Sequence, residues 1–294
     1  MPWWRRGAHN DTGGDLLKIS VIGAGTMGSG IAQVFAMAGN ETTLIDIYKE
    51  ALQKGKANIE RSLKKLGEKS VLSAEPDKIL SSITFSSSLD SCRDSNLIVE
   101  AVFERLDIKK DIFSRIAEII SPGTIIASNT SSISINLLSS YVKEPENFIG
   151  MHFFNPPPIM KLVEIVKGRR TSESVTKKIG DVSRSLGKDP VFVNDYPGFI
   201  SNRVLMPMLR ESIISLEQGI ASVEDIDKTV KLGLNHPMGP LTLCDFIGND
   251  VVYDIMTVLF NEFGDPHYKP PVLLRNMVYS GKLGRKTGEG FYKY

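Results

Sequence analysis

A glycine-rich turn near the start of the chain lies between a short apolar run and a helical pattern. Its residues are Gly23-Ala24-Gly25-Thr26-Met27-Gly28, with the spacing G-x-G-x-x-G. The apolar run at 18–22 predicts a buried strand, and residues 27–38 predict a helix that ends at Gly39. Residues 42–46 predict a second strand. Strand, helix and strand within about 30 residues form a βαβ unit, which requires a parallel sheet.

The glycines of this turn suit the binding of a dinucleotide. Gly23 allows the tight turn, Gly25 lets a pyrophosphate approach the backbone, and Gly28 lets the helix and strand pack closely. The helix N-terminus offers free N–H groups to the phosphates. Such a motif alone is also found in ordinary glycine turns. Here Asp46 ends the next strand, where an acid accepts hydrogen bonds from ribose hydroxyls and repels the extra phosphate of NADP. The sequence therefore predicts NAD binding.

Strand and helix patterns alternate up to about residue 195. Helical patterns cover residues 49–65, 106–120 and 174–186, and strand patterns cover 83–85, 97–102, 124–127, 148–152, 162–166 and 191–193. This alternation predicts an α/β, Rossmann-type domain with a doubly wound, mostly parallel sheet. Beyond it the patterns are helical, at residues 200–217, 223–232, 241–263 and 272–279. We expect a loose N-terminal extension at 1–15, an NAD-binding domain at 16–197 and an all-α C-terminal domain at 198–294.

Composition excludes several other classes of protein. The formal net charge is +1, which gives no reason to expect nucleic acid or an anionic membrane as a partner. Cys92 and Cys244 are far apart, and the four histidines have no metal-ligand spacing, so neither a disulfide framework nor a metal site is expected. No apolar run approaches the roughly 20 residues of a spanning helix. These features predict a reducing, cytoplasmic location.

Polar residues suited to acid/base chemistry follow the later strands. Ser131 comes shortly after one predicted strand, His152 ends another, and Glu164 lies in an otherwise apolar strand. Ligands of open parallel sheets bind outside the carboxyl ends of the strands. A buried carboxylate is stable beside a charged imidazole. Taken singly, such a histidine is more often structural and such a glutamate more often faces solvent, but beside a dinucleotide motif they predict an acid/base pair.

Several segments together make the chain similar to a known family. They are residues 23–28, 100–104, 128–132, 152–158, 197–200 with Asn202 and Arg203, 236–240, and 284–292. From about residue 18 to residue 294 the chain resembles the 3-hydroxyacyl-CoA dehydrogenases, including the bacterial-type 3-hydroxybutyryl-CoA dehydrogenases. The resemblance implies an NAD-dependent enzyme of fatty acid β-oxidation that interconverts (S)-3-hydroxyacyl-CoA and 3-oxoacyl-CoA. It favours short acyl chains and implies a homodimer.

The resemblance also implies roles for individual residues. His152 is the implied acid/base, Glu164 its partner, and Ser131 and Asn202 the contacts to the substrate. The implied cofactor contacts are Asp46, Glu104, Lys109, Ser131, Asn155 and Lys286, and the implied CoA contacts are Ser62 and Lys69. For Lys69, a solvated lysine-rich helix face is the alternative interpretation.

The implied chemistry is consistent with these residue types. Oxidation of a secondary alcohol requires departure of a hydride and removal of the hydroxyl proton. A neutral imidazole at His152 can take that proton as a general base. Glu164 would orient the ring and stabilise the imidazolium without becoming protonated. Ser131 and Asn202 would donate to substrate oxygens.

Two alternatives predict different residues. A β-hydroxyacid or sugar-acid dehydrogenase carries a lysine acid/base on a long helix of its second domain, whereas this chain has no lysine between Ile200 and Ile226. A non-enzymatic NAD-binding protein on the same fold would be supported by loss of His152 or Glu164, and both are present. The sequence therefore favours the dehydrogenase.

Overall fold

The structure, a computed structural model, describes residues 17–294. The predicted extension at residues 1–15 lies outside this range. The chain divides after Asp195 into two compact units, and the second unit begins at Tyr196. The predicted domain boundary falls two residues later, between residues 197 and 198.

One eight-stranded sheet organises the first unit. The strands are β1 (Lys18–Ile22), β2 (Glu41–Ile45), β3 (Ile83–Ser86), β4 (Leu97–Glu100), β5 (Ile125–Ser128), β6 (Phe148–Phe153), β7 (Leu162–Lys167) and β8 (Asp189–Asn194). Their order across the sheet is β3-β2-β1-β4-β5-β6-β7-β8. Neighbouring strands are parallel except β6 and β7, which are antiparallel. The predicted doubly wound, mostly parallel sheet is confirmed.

The helices of the first unit cover the sheet with apolar faces. They are α1 (Thr26–Met37), α2 (Lys49–Glu68), α3 (Pro76–Ser81), α4 (Leu106–Ile116), α5 (Ile135–Leu138) and α6 (Glu173–Ser185). Phe35 of α1 and Ile59 and Leu63 of α2 belong to the buried core that includes Val21 and Leu44 of the sheet. The short helices α3 and α5 were not predicted, because four to six residues are too few for a helical period to show.

The second unit is built from helices around its own core. They are α7 (Ser201–Glu217), α8 (Val223–Gly233), α9 (Pro240–Ile247), α10 (Asn249–Phe263) and α11 (Val272–Tyr279). Leu209, Leu241 and Met256 are fully buried in that core. The predicted single helix over residues 241–263 is wrong, because Gly248 has a φ of 107° and separates α9 from α10. Within residues 17–294, none of the helices combines the length and apolarity needed to cross a bilayer.

Candidate active site

The glycine-rich turn joins β1 to α1 at the carboxyl end of the sheet. Gly23 has a φ of 104°, and its N–H donates to the Ile45 carbonyl at 2.7 Å. A Cβ atom there would lie 2.6 Å from the Ala101 carbonyl oxygen, and one at Gly28 would lie 1.7 Å from the Gly23 carbonyl oxygen. Both positions therefore require glycine, which allows α1 to start directly against the strand end.

The surface around Gly25 fits a dinucleotide. A Cβ built on Gly25 meets no atom within 4 Å, so the backbone faces open space at the start of α1. Asp46 follows β2 with its carboxylate fixed, accepting hydrogen bonds from the Ala24 N–H at 2.8 Å and the Tyr48 N–H at 3.0 Å. A helix N-terminus with open space suits phosphates, and a fixed acid at this strand end suits ribose hydroxyls.

His152 and Glu164 lie directly opposite each other on the antiparallel strands β6 and β7. The Nδ1 atom of His152 is 2.7 Å from Oε2 of Glu164. His152 is 6% exposed and Glu164 is fully buried. Because a carboxylate only accepts hydrogen bonds, Nδ1 of the neutral ring carries the proton, and Nε2 presents its lone pair.

Ser131 lies on the other side of the imidazole. Its Oγ atom is 3.1 Å from Nε2 of His152. The ring is also 4.8 Å, centroid to centroid, from Phe154. Ser131, His152 and Glu164 thus form a continuous hydrogen-bonded chain that ends at a hydroxyl, and a proton can be held or moved at Nε2.

Glu104 fixes the backbone that carries Ser131. Its Oε1 atom accepts hydrogen bonds from the Thr130 hydroxyl at 2.6 Å, the Ser131 N–H at 2.8 Å, and the N–H and hydroxyl of Ser132 at 2.9 and 3.0 Å. Burial raises the pKa of the Glu104 carboxyl, but the Lys109 charge and these hydrogen bonds outweigh it and lower the pKa below its usual value. Glu104 is thereby held as a carboxylate under the serine segment.

Lys109 is buried behind Glu104. Its side chain is 1% exposed, and its ammonium lies 2.6 Å from Glu100 and 3.3 Å from Glu104. Glu100 also accepts from the Ser128 hydroxyl at 2.6 Å and the Val102 N–H at 2.8 Å. Lys109, an implied cofactor contact, therefore has almost no exposed surface, and its ammonium contacts the carboxylate that binds the serine segment.

Glu104 gives a test of this electrostatic arrangement. Its folded-state pKa lies below the usual 4.5, so its contribution to stability is complete above that pH and is lost as pH falls through the folded value. We expect the difference in free energy of unfolding between wild type and Glu104→Gln to shrink from about pH 6 to about pH 3. Urea denaturation at several pH values measures it, and a difference that stays constant would contradict the assignment.

Sequence reasoning gave no individual role to several residues of this site, among them Glu100 and Asn129. Glu100 pairs with Lys109, and the Asn129 side chain accepts a hydrogen bond from the Phe153 N–H at 2.8 Å, which ties the segment after β5 to the end of β6. Both lie in segments that carry the family resemblance, and both are buried polar residues at strand ends. A polar residue at the end of an apolar strand is the sequence signal that points to both of them.

Family models account for nearly the whole described chain. Residues 18–196 match "3-hydroxyacyl-CoA dehydrogenase, NAD binding domain", and residues 198–294 match the C-terminal domain of the same family. The chain belongs to the 3-hydroxyacyl-CoA dehydrogenase family. The predicted resemblance is confirmed, and the chain is an NAD-dependent oxidoreductase of this class.

Relatives of this dehydrogenase cover almost its full length. A probable 3-hydroxybutyryl-CoA dehydrogenase of Deinococcus radiodurans is 50% identical over 95% of this chain and 100% of its own. The human mitochondrial hydroxyacyl-coenzyme A dehydrogenase is 42% identical over 94% of this chain and 90% of its own. The crystal structure of (S)-3-hydroxybutyryl-CoA dehydrogenase from Ralstonia eutropha superposes with a TM-score of 0.91, at 45% identity over 95% of this chain and 99% of that one.

The other implied contacts of the dehydrogenase lie at separate places. Asn155 is exposed just after β6. Ser62 lies on α2, and Lys69 is exposed at its C-cap, seven residues further and about 10 Å along the helix axis. In the second unit, Asn202 is buried in the first turn of α7, and the Lys286 ammonium lies 2.5 Å from Asp250. Across residues 17–294, no group of three or more His, Cys, Asp or Glu side chains could hold a metal ion.

Proposed function

We propose that this enzyme interconverts (S)-3-hydroxyacyl-CoA and 3-oxoacyl-CoA with NAD, with short substrates such as 3-hydroxybutyryl-CoA and acetoacetyl-CoA preferred. The observation that carries the proposal is the chain from Ser131 through His152 to the buried Glu164, at 3.1 and 2.7 Å. It lies at the carboxyl end of the sheet that also carries the dinucleotide turn, where parallel sheets bind ligands. The names of the Deinococcus and Ralstonia relatives support the short chain length.

In the proposed mechanism, His152 exchanges the proton of the substrate's 3-hydroxyl. When bound, NAD supplies the hydride chemistry. Nε2 of the neutral ring takes the proton during oxidation and returns it to the 3-oxo oxygen during reduction. Glu164 keeps Nδ1 protonated, and its charge stabilises the imidazolium that forms. The Ser131 hydroxyl donates to the substrate oxygen, on which negative charge develops.

We also propose cofactor and substrate contacts for residues other than Ser131, His152 and Glu164. Gly23 to Gly28, Asp46, Glu104, Asn155 and Lys286 would hold NAD, with Lys109 acting through Glu104. Asn202 would contact the substrate, while Ser62 and Lys69 would bind CoA. The support for the CoA contacts is that Ser62 and Lys69 lie two turns apart on one helix, with a cation that can attract phosphate. We propose that residues 16–197 form the NAD-binding domain and residues 198–294 the all-α C-terminal domain.

NADH oxidation with acetoacetyl-CoA tests the proposal. We expect the absorbance of NADH to fall when acetoacetyl-CoA is added, and NADPH to be used poorly. If protein that is shown to bind NADH does not oxidise it, 3-oxoacyl-CoA substrates with longer acyl chains are tested next. Failure with all of these substrates would leave a non-enzymatic NAD-binding protein.

Asp46 is expected to decide between the two nicotinamide cofactors. Asp46→Asn removes the negative charge and keeps one oxygen, which can accept from either the Ala24 or the Tyr48 N–H, whereas the two carboxylate oxygens of Asp46 accept one each. Without the charge, the 2′-phosphate of NADP is no longer repelled. We expect weaker NADH binding. The ratio of the affinities for NADH and NADPH should fall by about tenfold, which corresponds to about 1.4 kcal/mol. Fluorescence titration with both cofactors measures it, and an unchanged ratio would contradict the role.

We also propose a homodimer in a reducing, cytoplasmic compartment. The second unit carries large apolar side chains that are exposed in the single chain, among them Val204, Ile220 and Leu232. Homodimer interfaces are richer in apolar side chains than the rest of a protein surface, so these residues support the proposal. The cysteines Cys92 and Cys244 are both buried and free, which fits a reducing compartment. A monomeric mass in light scattering at micromolar concentration would overturn the dimer.

A further inference from the structure

The connection between β6 and β7 bears directly on the geometry of the acid/base pair. It spans residues 154–161 and joins the strand of His152 to the strand of Glu164. In an antiparallel pair, the geometry of the connection helps to set which residues face each other. Pro157 and Pro158 have no backbone N–H with which to brace this connection. The Ile159 and Met160 N–H groups both donate to the Pro156 carbonyl at 3.0 Å, and groups from elsewhere in the fold add to these two bonds.

Lys188 supplies such a group. Its ammonium donates to the Pro157 carbonyl at 2.6 Å and to the Met160 carbonyl at 2.9 Å. The residue is only 7% exposed. Burial lowers the pKa of this ammonium to about 8. A cation kept in so buried a position, with carbonyl oxygens as its hydrogen-bond partners, makes strong and directional bonds to the connection.

The backbone of Lys188 is itself anchored. Gly187, with a φ of 71°, ends α6, and its N–H donates to the Arg184 carbonyl at 2.9 Å. The Lys188 N–H donates to the Ser183 carbonyl at 3.0 Å, which completes a Schellman motif. The next residue, Asp189, begins β8. The long lysine side chain thus extends from a fixed point at a helix end.

The opposite side of the connection packs against α1. A Cβ atom built on Gly30 would lie 2.9 Å from Cδ of Pro157, so the proline ring rests on the helix where it lacks a side chain. Pro157 is buried there. Because α1 starts at the dinucleotide turn, this contact ties the connection to the cofactor helix. The connection is therefore held between Gly30 on one side and Lys188 on the other.

We infer that Lys188 is a positioning residue of the dehydrogenase reaction, which fixes the β6–β7 connection against α1 and so holds His152, Glu164 and Asn155 in register. The inference rests on the proposed function. Lys188 acts through the two carbonyls that it binds, and not on the substrate itself. Its loss should misplace the reacting groups by a small distance, to which turnover is sensitive.

Lys188→Met tests the inference because it keeps the aliphatic stem and removes the ammonium. We expect kcat with acetoacetyl-CoA and NADH to fall by about 10- to 100-fold, while KM for acetoacetyl-CoA changes by less than about threefold. The primary isotope effect with 4-deuterated NADH should rise, because the chemical step becomes limiting. Lys188→Arg, which keeps a cationic donor, should recover most of the turnover. Lys178→Met, at an exposed lysine on α6, is the matched control and should behave as wild type.

Gly30→Ala perturbs the same connection from the other side. Alanine favours a helix more than glycine does, so α1 should not be weakened, while the new Cβ displaces Pro157. We expect a lower kcat. The melting temperature should fall only modestly, because the gain in helix propensity of α1 offsets part of the cost of displacing the buried ring. A wild-type kcat in folded Lys188→Met would overturn the inference and leave the proposed function standing. If Lys188→Met does not fold, a wild-type kcat in Gly30→Ala would have the same consequence. Absence of turnover in the wild-type enzyme would overturn the proposed function and this inference with it.

Discussion

Replacing His152 with alanine should lower kcat by at least about 100-fold, within the range of 10² to 10⁴ that general acid/base catalysis contributes. In the reduction of acetoacetyl-CoA, the 3-oxo oxygen would then have no imidazole from which to receive its proton. The affinity for NADH should stay nearly unchanged, because the dinucleotide turn at Gly23 is a separate part of the sheet edge. Steady-state kinetics with acetoacetyl-CoA and fluorescence titration with NADH measure the two effects.

Two further variants separate loss of chemistry from loss of structure. His152→Ala leaves the buried Glu164 carboxylate without its imidazole, which destabilises a fold. His152→Gln provides an amide that can donate to that carboxylate but cannot exchange a proton near neutral pH, so it should be equally inactive and better folded. His267→Ala, at an exposed histidine of the second unit, should keep wild-type turnover. Turnover that survives in both His152 variants would show that the acid/base lies elsewhere.

Most of the fold could be predicted because its signals are local. An apolar run that ends in glycine marked β1, apolar runs marked its neighbours, and the helical period marked α2 and α6. The break at Gly248 was missed, since a single glycine inside a helical pattern is tolerated and only its observed φ of 107° shows that the helix ends. The antiparallel direction of β7 was equally invisible, because a strand buried on both faces has the same apolar run in either direction.

The residue types of the site could be predicted, but their mutual contacts could not. His152 and Glu164 stood out as polar residues in apolar strands, yet only the register of β6 against β7 places them face to face. Lys188 gave no signal, because a lysine after a helix is ordinarily solvated, and its burial depends on carbonyls about 30 residues away in sequence. Long-range hydrogen bonds of this kind follow from the assembled fold and leave no periodic pattern.

Glu164→Gln should lower kcat by roughly 10²- to 10⁴-fold, although the substituted side chain has almost the same shape. The glutamine amide can donate to Nδ1 of His152, which would place the ring proton on Nε2. Nε2 would then face Ser131 as a donor and could not accept the substrate proton. Glu118→Gln, at an exposed glutamate paired with Lys143, is the matched control and should have wild-type kinetics.

The double variant decides whether Glu164 acts through His152 or independently of it. If the carboxylate serves only to orient and stabilise the imidazole, it has nothing to act on once the ring is absent. Glu164→Gln should therefore cost little further turnover in a His152→Ala background, far less than the product of the two single losses. Steady-state kinetics of the four proteins close this cycle. If the loss of turnover in the double variant equals the product of the two single losses, Glu164 acts independently of His152. That result would contradict the pairing.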